Sequence, residues 1–442
     1  MKAEIEGGEP LIGRVRVSGS KNSALKLIAG ALFSNEDVVL ENVPRVSSIL
    51  SDLEVLKSLG VSFSWEALGK LKINAKDLNL SEIPLESNSR YRTLALLTGP
   101  LLYRFGRARI PKPRSELFLT SPINRWLETW DSLGFSILES TNFYDIESKR
   151  SQSSEINFKL NTVMGTENAI LSSVFIPGTT TINNAAAEPE VDDLVAFLNA
   201  LGGNVKRVEE RKIIINGMAT FEGTKYTVMP DRSEVVALSI AALLTNGDLE
   251  IQGSTSSDLL PFVRKLEAVK ANFEFKGDVL RIWKHKNDVL EAVTVETSPF
   301  PGFTTDWQPL MTVLLTQAKG TSFIHETIYT DRLLYTKDLN RMGAKITLLK
   351  PSEVGLQPVI SEDSYDFEKL GEPFTVAKIE GSTPLRRERI NVSDPRFSIA
   401  LILASLCANG VSEVHSFEAV NDLFENFSEK LKALGAKIKI IS

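Results

Sequence analysis

Val15-Arg16-Val17-Ser18-Gly19-Ser20-Lys21-Asn22-Ser23-Ala24-Leu25-Lys26 joins an alternating strand to an apolar helix and puts a lysine at the junction. Arg14, Val15, Arg16 and Val17 alternate as a half-buried strand does, and Gly19 allows a sharp turn. Ser20 is a capping residue for a helix whose apolar stripe runs Leu25, Leu27, Ile28 and Leu32. The first N–H groups of such a helix have no intrahelical acceptor, and the positive end of its dipole points the same way. Lys21 adds a full charge, which makes the junction a place for an anion. A capped helix with a solvated lysine is the plainer reading of this stretch alone.

Composition narrows the class. A chain of 442 residues, 43% apolar and 24% charged, carries two or three full-sized cores and is neither disordered nor membrane-spanning in character. The N-terminal MKAEIEGGEP lacks the charged-then-apolar pattern of a secretory signal, so a cytoplasmic protein is expected. With a formal charge of -6 and no dense basic segment, neither duplex nucleic acid nor a membrane is an expected partner. Anions must then be met by individually placed cations. The single cysteine, Cys407, lies in an apolar run and reads as a core thiol. Three scattered histidines and one cysteine give no metal-ligand spacing, so no zinc site is expected.

Taken in order, the chain repeats. Each unit has an apolar helix closed by Gly or Asn, a β-rich strand, a second amphipathic helix ending near Leu-Gly, and another strand. The first unit runs Lys21 to Phe33, with Asn35 as a left-handed stop, then Val38 to Leu40, then Ser48 to Leu59 before Gly60. The second runs Arg92 to Gly106, Arg107 to Ile110, and Pro122 to Leu133. Its polar segment near 111–121 is a candidate mobile loop. The third runs Thr166 to Gly178, Thr179 to Ile182, and Glu190 to Leu201. The fourth opens at Asp231-Arg232 and ends near Val269, with Lys270 where the pattern expects glycine. The fifth opens at Thr305-Asp306 and closes at Met342-Gly343, and the sixth opens at Asp394-Pro395-Arg396 and closes at Leu434-Gly435. Six units of roughly 70 residues are too long for a solenoid. The expected architecture is α/β in two lobes of three units, residues 21–229 forming one and residues 1–20 with 230–442 the other.

The starts of the six first helices carry Lys21-Asn22, Arg90 and Arg92, Thr166-Glu167-Asn168, Asp231-Arg232, Asp306, and Asp394 with Arg396. In a sixfold repeat these positions are equivalent, so the starts of one lobe are expected to face those of the other over a positively focused cleft. Asp231 and Asp394 also read as helix caps, and each arginine as a member of a structural ion pair. Asp306, a carboxylate expected among cations, is a candidate proton acceptor.

Ser18-Gly19-Ser20-Lys21-Asn22-Ser23-Ala24-Leu25, Asn42-Val43-Pro44, Asn184-Ala185-Ala186-Ala187-Glu188-Pro189-Glu190, Pro230-Asp231-Arg232, Phe303-Thr304-Thr305-Asp306-Trp307-Gln308 and Arg341-Met342-Gly343-Ala344 together resemble the enolpyruvyl transferases, in collinear order over essentially the whole chain. The likeness is strongest to the branch acting on UDP-N-acetylglucosamine at the first committed step of peptidoglycan synthesis. It implies a two-lobed inside-out α/β barrel. The implied substrates are phosphoenolpyruvate and UDP-N-acetylglucosamine, and the implied reaction transfers the enolpyruvyl group to the sugar 3-hydroxyl without a cofactor. By the same resemblance Asp306, Glu116 and Lys21 are the catalytic residues. Lys21, Asn22, Arg92, Ser121, Pro122, Ile123, Asn124, Thr162, Val163, Ile328, Arg332 and Arg396 line the substrates. The family's loop carries a cysteine or aspartate as proton donor where this chain has Glu116, with Ser115 adjacent. Ser121, Asn161 and Asp422 stand where the family has cations, with Arg114 or Arg125 as substitutes.

Overall fold

The computed structural model describes residues 1–85, 94–112, 123–361, 365–392 and 394–441. Its contacts divide the chain into one unit formed by Gly19–Met229 and another formed by Met1–Ser18 with Pro230–Ser442. Each has its own apolar core.

The first helices of the repeats are α1 (Lys21–Gly30), α2 (Thr98–Phe105), α3 (Val163–Ser173), α4 (Arg232–Leu244), α5 (Gln308–Gln317) and α6 (Ser398–Cys407). Their sequences explain their place. A stretch such as Val235 to Leu244, apolar but for Ser239, has no polar face, and such a helix is stable only when surrounded. In α4 every residue but Ser233 is buried, and α4, α5 and α6 pack against one another. Some of the hydroxyls inside close on their own helix: Thr312 Oγ1 donates to the Gln308 carbonyl, and Ser405 Oγ to that of Leu401. Amphipathic helices lie outside, among them Ser47–Ser58, Pro189–Ala200 and Leu260–Ala268.

Six sheets are found among the described residues, three in each unit. Five of them share one four-stranded pattern, and the sheet of the second repeat has three strands. In the third repeat, strand Glu155–Asn157 runs parallel to Thr179–Asn183, which pairs antiparallel with Lys212–Asn216, which pairs antiparallel with Asn204–Glu209. Two sheets are completed from a distance. Thr224–Thr227 returns to lie parallel to Asp37–Glu41, and Ile12–Arg16 lies parallel to Asp248–Gln252. In the sixth repeat, Lys2–Glu6 is inserted antiparallel between Val411–His415 and Lys437–Ile441.

Three local expectations change. Asn35 does not take the left-handed conformation: α1 tightens into a 3-10 turn, Ala31–Phe33, and leaves through Ser34 with extended φ -87°. The hydroxyl of Ser34 accepts the Glu36 N–H, which provides the stop that a left-handed Asn35 would have given. The third repeat's helix begins at Val163, three residues before Thr166, because Thr162 caps it by accepting the Gly165 N–H. Lys270 adopts φ +59°, alongside +98°, +96°, +102° and +112° at Gly60, Gly202, Gly343 and Gly435. The repeat therefore imposes the left-handed turn even on a residue with a Cβ, at a cost of about 1 kcal/mol. No helix among the described residues is long and apolar enough to cross a membrane.

Candidate active site

In the unit formed by Met1–Ser18 and Pro230–Ser442, the strand Thr321–His325 delivers Glu326 to a position with no exposed surface. Its carboxylate accepts from the hydroxyls of Thr297 (3.1 Å) and Thr305 (2.8 Å) and from the backbone N–H groups of Ile328 (2.9 Å) and Tyr329 (3.3 Å). Burial pushes this carboxyl up. The Ile328 N–H, the Thr305 hydroxyl and the charge of Arg332 pull the other way. Thr305 leads into Asp306 in the turn before α5. Asp306 is 56% exposed, and its Oδ1 lies 3.0 Å from Nη1 of Arg332. The Arg332 side chain is only 11% exposed, with its guanidinium 4.9 Å from the centroid of the Tyr329 ring. Arg332 therefore stacks on a residue whose backbone Glu326 holds.

Arg396 lies in the same cluster, on the 3-10 turn Pro395–Phe397 that enters α6. Asp394 caps this turn by accepting the Arg396 N–H at 2.9 Å, and its Oδ2 receives Nη2 of the same arginine at 2.6 Å. Asp331 takes Nη2 from the other side at 2.7 Å. Burial alone raises an aspartate and lowers an arginine. Here the charge-assisted bonds outweigh it, leaving Asp394 below and Arg396 above its ordinary range. The arginine named above as an anion ligand is thus already shared by two carboxylates.

In the unit Gly19–Met229, Ser20 caps α1 by accepting the Ser23 N–H, Lys21 is the first helical residue and half-buried, and Asn22 is exposed. The Ser23 hydroxyl donates to Asp193, which also receives the Tyr226 hydroxyl at 2.6 Å and the Met229 N–H at 3.3 Å. Burial raises Asp193 against these bonds. One turn further, Lys26 pairs with Glu167 of α3 at 3.4 Å. Burial, which Lys26 opposes and Glu190 and Glu188 reinforce, moves Glu167 up to about 7. Ile123 and Asn124 begin the helix Asn124–Ser132, and Nη1 of Arg125 reaches the Asn161 carbonyl at 3.3 Å, beside Thr162 and Val163. The Asn161 amide turns onto the carbonyls of Asn184 (3.4 Å) and Ala185 (3.1 Å).

The structure therefore brings Asp306, Ile328, Arg332 and Arg396 into one cluster, and sets Ile123 and Asn124 beside Thr162 and Val163. Glu116, Arg92, Ser121 and Pro122, together with Arg90, Arg114 and Ser115, lie outside the described residues. Sequence reasoning missed Glu326, Asp331 and Thr305. An acid directly after the strand Thr321–His325 is the one local signal that singles out Glu326. Chemically, the cluster offers a solvent-accessible carboxylate fixed by one arginine, beside a second arginine held by two acids.

The chain was compared with known proteins. The family model described as EPSP synthase (3-phosphoshikimate 1-carboxyvinyltransferase) matches residues 5–431. A UDP-N-acetylglucosamine 1-carboxyvinyltransferase 2 of Carboxydothermus hydrogenoformans is 34% identical over 441 residues, covering 100% of this chain and 99% of that protein. A UDP-N-acetylglucosamine 1-carboxyvinyltransferase 1 of Legionella pneumophila is 32% identical, covering 99% and 82%. Among solved structures, the enolpyruvyl transferase NikO from Streptomyces tendae superposes with a TM-score of 0.85 at 22% identity, covering 99% of this chain and 98% of that one. EPSP synthase from Acinetobacter baumannii gives 0.75 at 17% identity, covering 100% of both. The six-sheet, two-unit α/β architecture is thus the enolpyruvyl transferase fold, and the chain belongs to the EPSP synthase (3-phosphoshikimate 1-carboxyvinyltransferase) family, a family of enolpyruvyl-transferring enzymes.

Proposed function

We propose that the protein transfers the enolpyruvyl group of phosphoenolpyruvate to the 3-hydroxyl of UDP-N-acetylglucosamine with release of phosphate, a cytoplasmic step of peptidoglycan synthesis. The observation that carries this reading is Asp306, exposed yet fixed at 3.0 Å by Arg332, in a chain similar over its full length to enzymes of that name. In the addition step the 3-hydroxyl gives its proton to Asp306 as its oxygen bonds to C2 of phosphoenolpyruvate. The former double bond takes a proton at C3, supplied by Glu116. The tetrahedral ketal then loses a proton from C3 and phosphate from C2, which restores the double bond. Lys21 and Asn22 hold the phosphoenolpyruvate end through charge and helix-start N–H groups. Arg92, Ser121 to Asn124, Thr162, Val163 and Ile328 line the sugar nucleotide. Arg332 and Arg396 face the carboxylate and phosphate.

The test is phosphate release with both substrates, lost in Lys21→Ala. Binding of UDP-N-acetylglucosamine by calorimetry with no release under any condition overturns catalysis in favour of a binding protein. One observation favours a second reading, a different acceptor: the Asn161 amide is spent on the Asn184 and Ala185 carbonyls and offers no charge to a nucleotide. Release that depends on another hydroxyl compound, and not on UDP-N-acetylglucosamine, selects it.

A further inference from the structure

We infer that Glu326 is a positioning residue whose buried carboxylate ties the loop carrying Asp306 to the turn carrying Ile328 and Arg332, so that acid and arginine meet in one fixed geometry. The inference rests on the proposed transferase reading for its kinetic consequence, but the tie itself is read from the fold.

The two segments come from different parts of the fifth repeat. Asp306 stands in a turn before α5, where Trp307 N–H bonds back to the Thr304 carbonyl. Arg332 follows the strand Thr321–His325 and the turn Glu326 to Tyr329. Between them the ion pair Asp306–Arg332 is the weaker constraint, because its carboxylate is 56% exposed and water competes for it. Glu326 is the strong one. Its Oε2 receives the Thr305 hydroxyl, one residue before Asp306, and its Oε1 receives both N–H groups of the Ile328–Tyr329 turn together with the Thr297 hydroxyl. The neighbouring Thr297 hydroxyl also receives the Thr327 N–H at 2.8 Å, so the turn is anchored twice. A buried acceptor serving four donors leaves those donors unsatisfied if it is lost, which is why one side chain can fix two loops. The nearby charge of Arg332 favours the ionised, all-acceptor form against the burial. A rigid supporting shell of this kind sets the geometry in which a proton acceptor works.

Three variants of the full chain test this: Glu326→Leu, which keeps bulk and removes every acceptor, Thr305→Val, which cuts only the link to Asp306, and Thr305→Ser, which keeps that hydroxyl. With phosphoenolpyruvate and UDP-N-acetylglucosamine, Thr305→Val is expected to lower kcat by about tenfold with KM within about twofold of wild type. Thr305→Ser is expected to stay within about twofold of wild type in both. By amide hydrogen exchange, Ile328 and Tyr329 exchange at least about tenfold faster in Glu326→Leu, and Trp307 does so in Thr305→Val. Wild-type kcat in Thr305→Val, or a loss that Thr305→Ser does not rescue, overturns the inference, and so do unchanged exchange rates. If wild type itself releases no phosphate, the transferase reading fails instead, and exchange alone decides the tie. Should Glu326→Leu not fold, Trp307 exchange in Thr305→Val carries the test.

Discussion

Arg332 and Arg396 belong to one cluster and differ in how their charge is spent. Among the described residues Arg332 is ion-paired with one carboxylate, Asp306, which is largely in water. Arg396 has two, Asp331 and Asp394, which contact it through Nε, Nη1 and Nη2. A cation whose one ion-pair partner is largely in water can exchange it for a substrate anion, because the released carboxylate is rehydrated. A cation between two acids carries a local charge of about -1 with them, and an arriving anion must compete with both. Two arginines that look alike in the sequence therefore divide into one held by a single, largely hydrated acid and one braced between two.

This division has consequences that can be broken in order of size. Asp306→Asn, which keeps shape and removes proton acceptance, is expected to lower kcat by about 10²–10⁴-fold, read from phosphate release at saturating substrates. Activity within tenfold of wild type would remove Asp306 from the chemistry. Arg332→Ala is expected to lower kcat/KM for phosphoenolpyruvate by about 100-fold and Arg396→Ala by about tenfold less, with Arg396→Ala losing more thermal stability because Asp331 and Asp394 are left facing each other. The reverse ranking in kcat/KM would show that Arg396 is the working contact. Asp331→Asn frees one face of Arg396 and is expected to lower KM for phosphoenolpyruvate about three- to tenfold. An unchanged KM would mean that the anion never reaches this arginine.

The smallest effect is on stability against pH. Asp394 is held below its usual range in the fold, so its stabilising contribution is present above the unfolded value near 3.8 and is lost as pH falls through the lower folded value. Glu326 has the opposite sign: with its folded value raised, stability declines as pH rises from the unfolded value of 4.5 through the folded one. In thermal melts from pH 3 to 8, Asp394→Asn is expected to flatten the acid limb alone. A variant curve parallel to wild type throughout would show that the braced arginine contributes no pH dependence.

Much of the architecture was legible because the repeat writes it locally. Ser20 and Asp231 cap their helices as their residue types suggest, Asp231 by accepting the N–H groups of Ser233 and Glu234. Helices apolar all round, such as α4 and α6, announced their burial. The motif resemblance drew attention to Asp306, Arg332 and Arg396 singly. What the sequence did not disclose is the pairing: Asp331 reaches Arg396 across 65 positions and Thr305 reaches Glu326 across 21. Such contacts join loops that leave different strands, of two different sheets for Asp331 and Arg396, and no periodicity encodes them. Lys270 is the reverse lesson. Its residue type argued against a left-handed turn, and the tertiary fold imposed one.

The strand Lys2–Glu6 lies in the middle of a sheet, between Val411–His415 and Lys437–Ile441. During synthesis on the ribosome this segment emerges some four hundred codons before its neighbours, and it must stay unpaired until they have been made. Gly19–Met229, by contrast, is one uninterrupted segment that needs no strand from elsewhere in the chain. The nascent chain thus carries an unpaired strand over that interval, and the polar alternation of Lys2, Glu4 and Glu6 is suited to keeping it soluble while it waits.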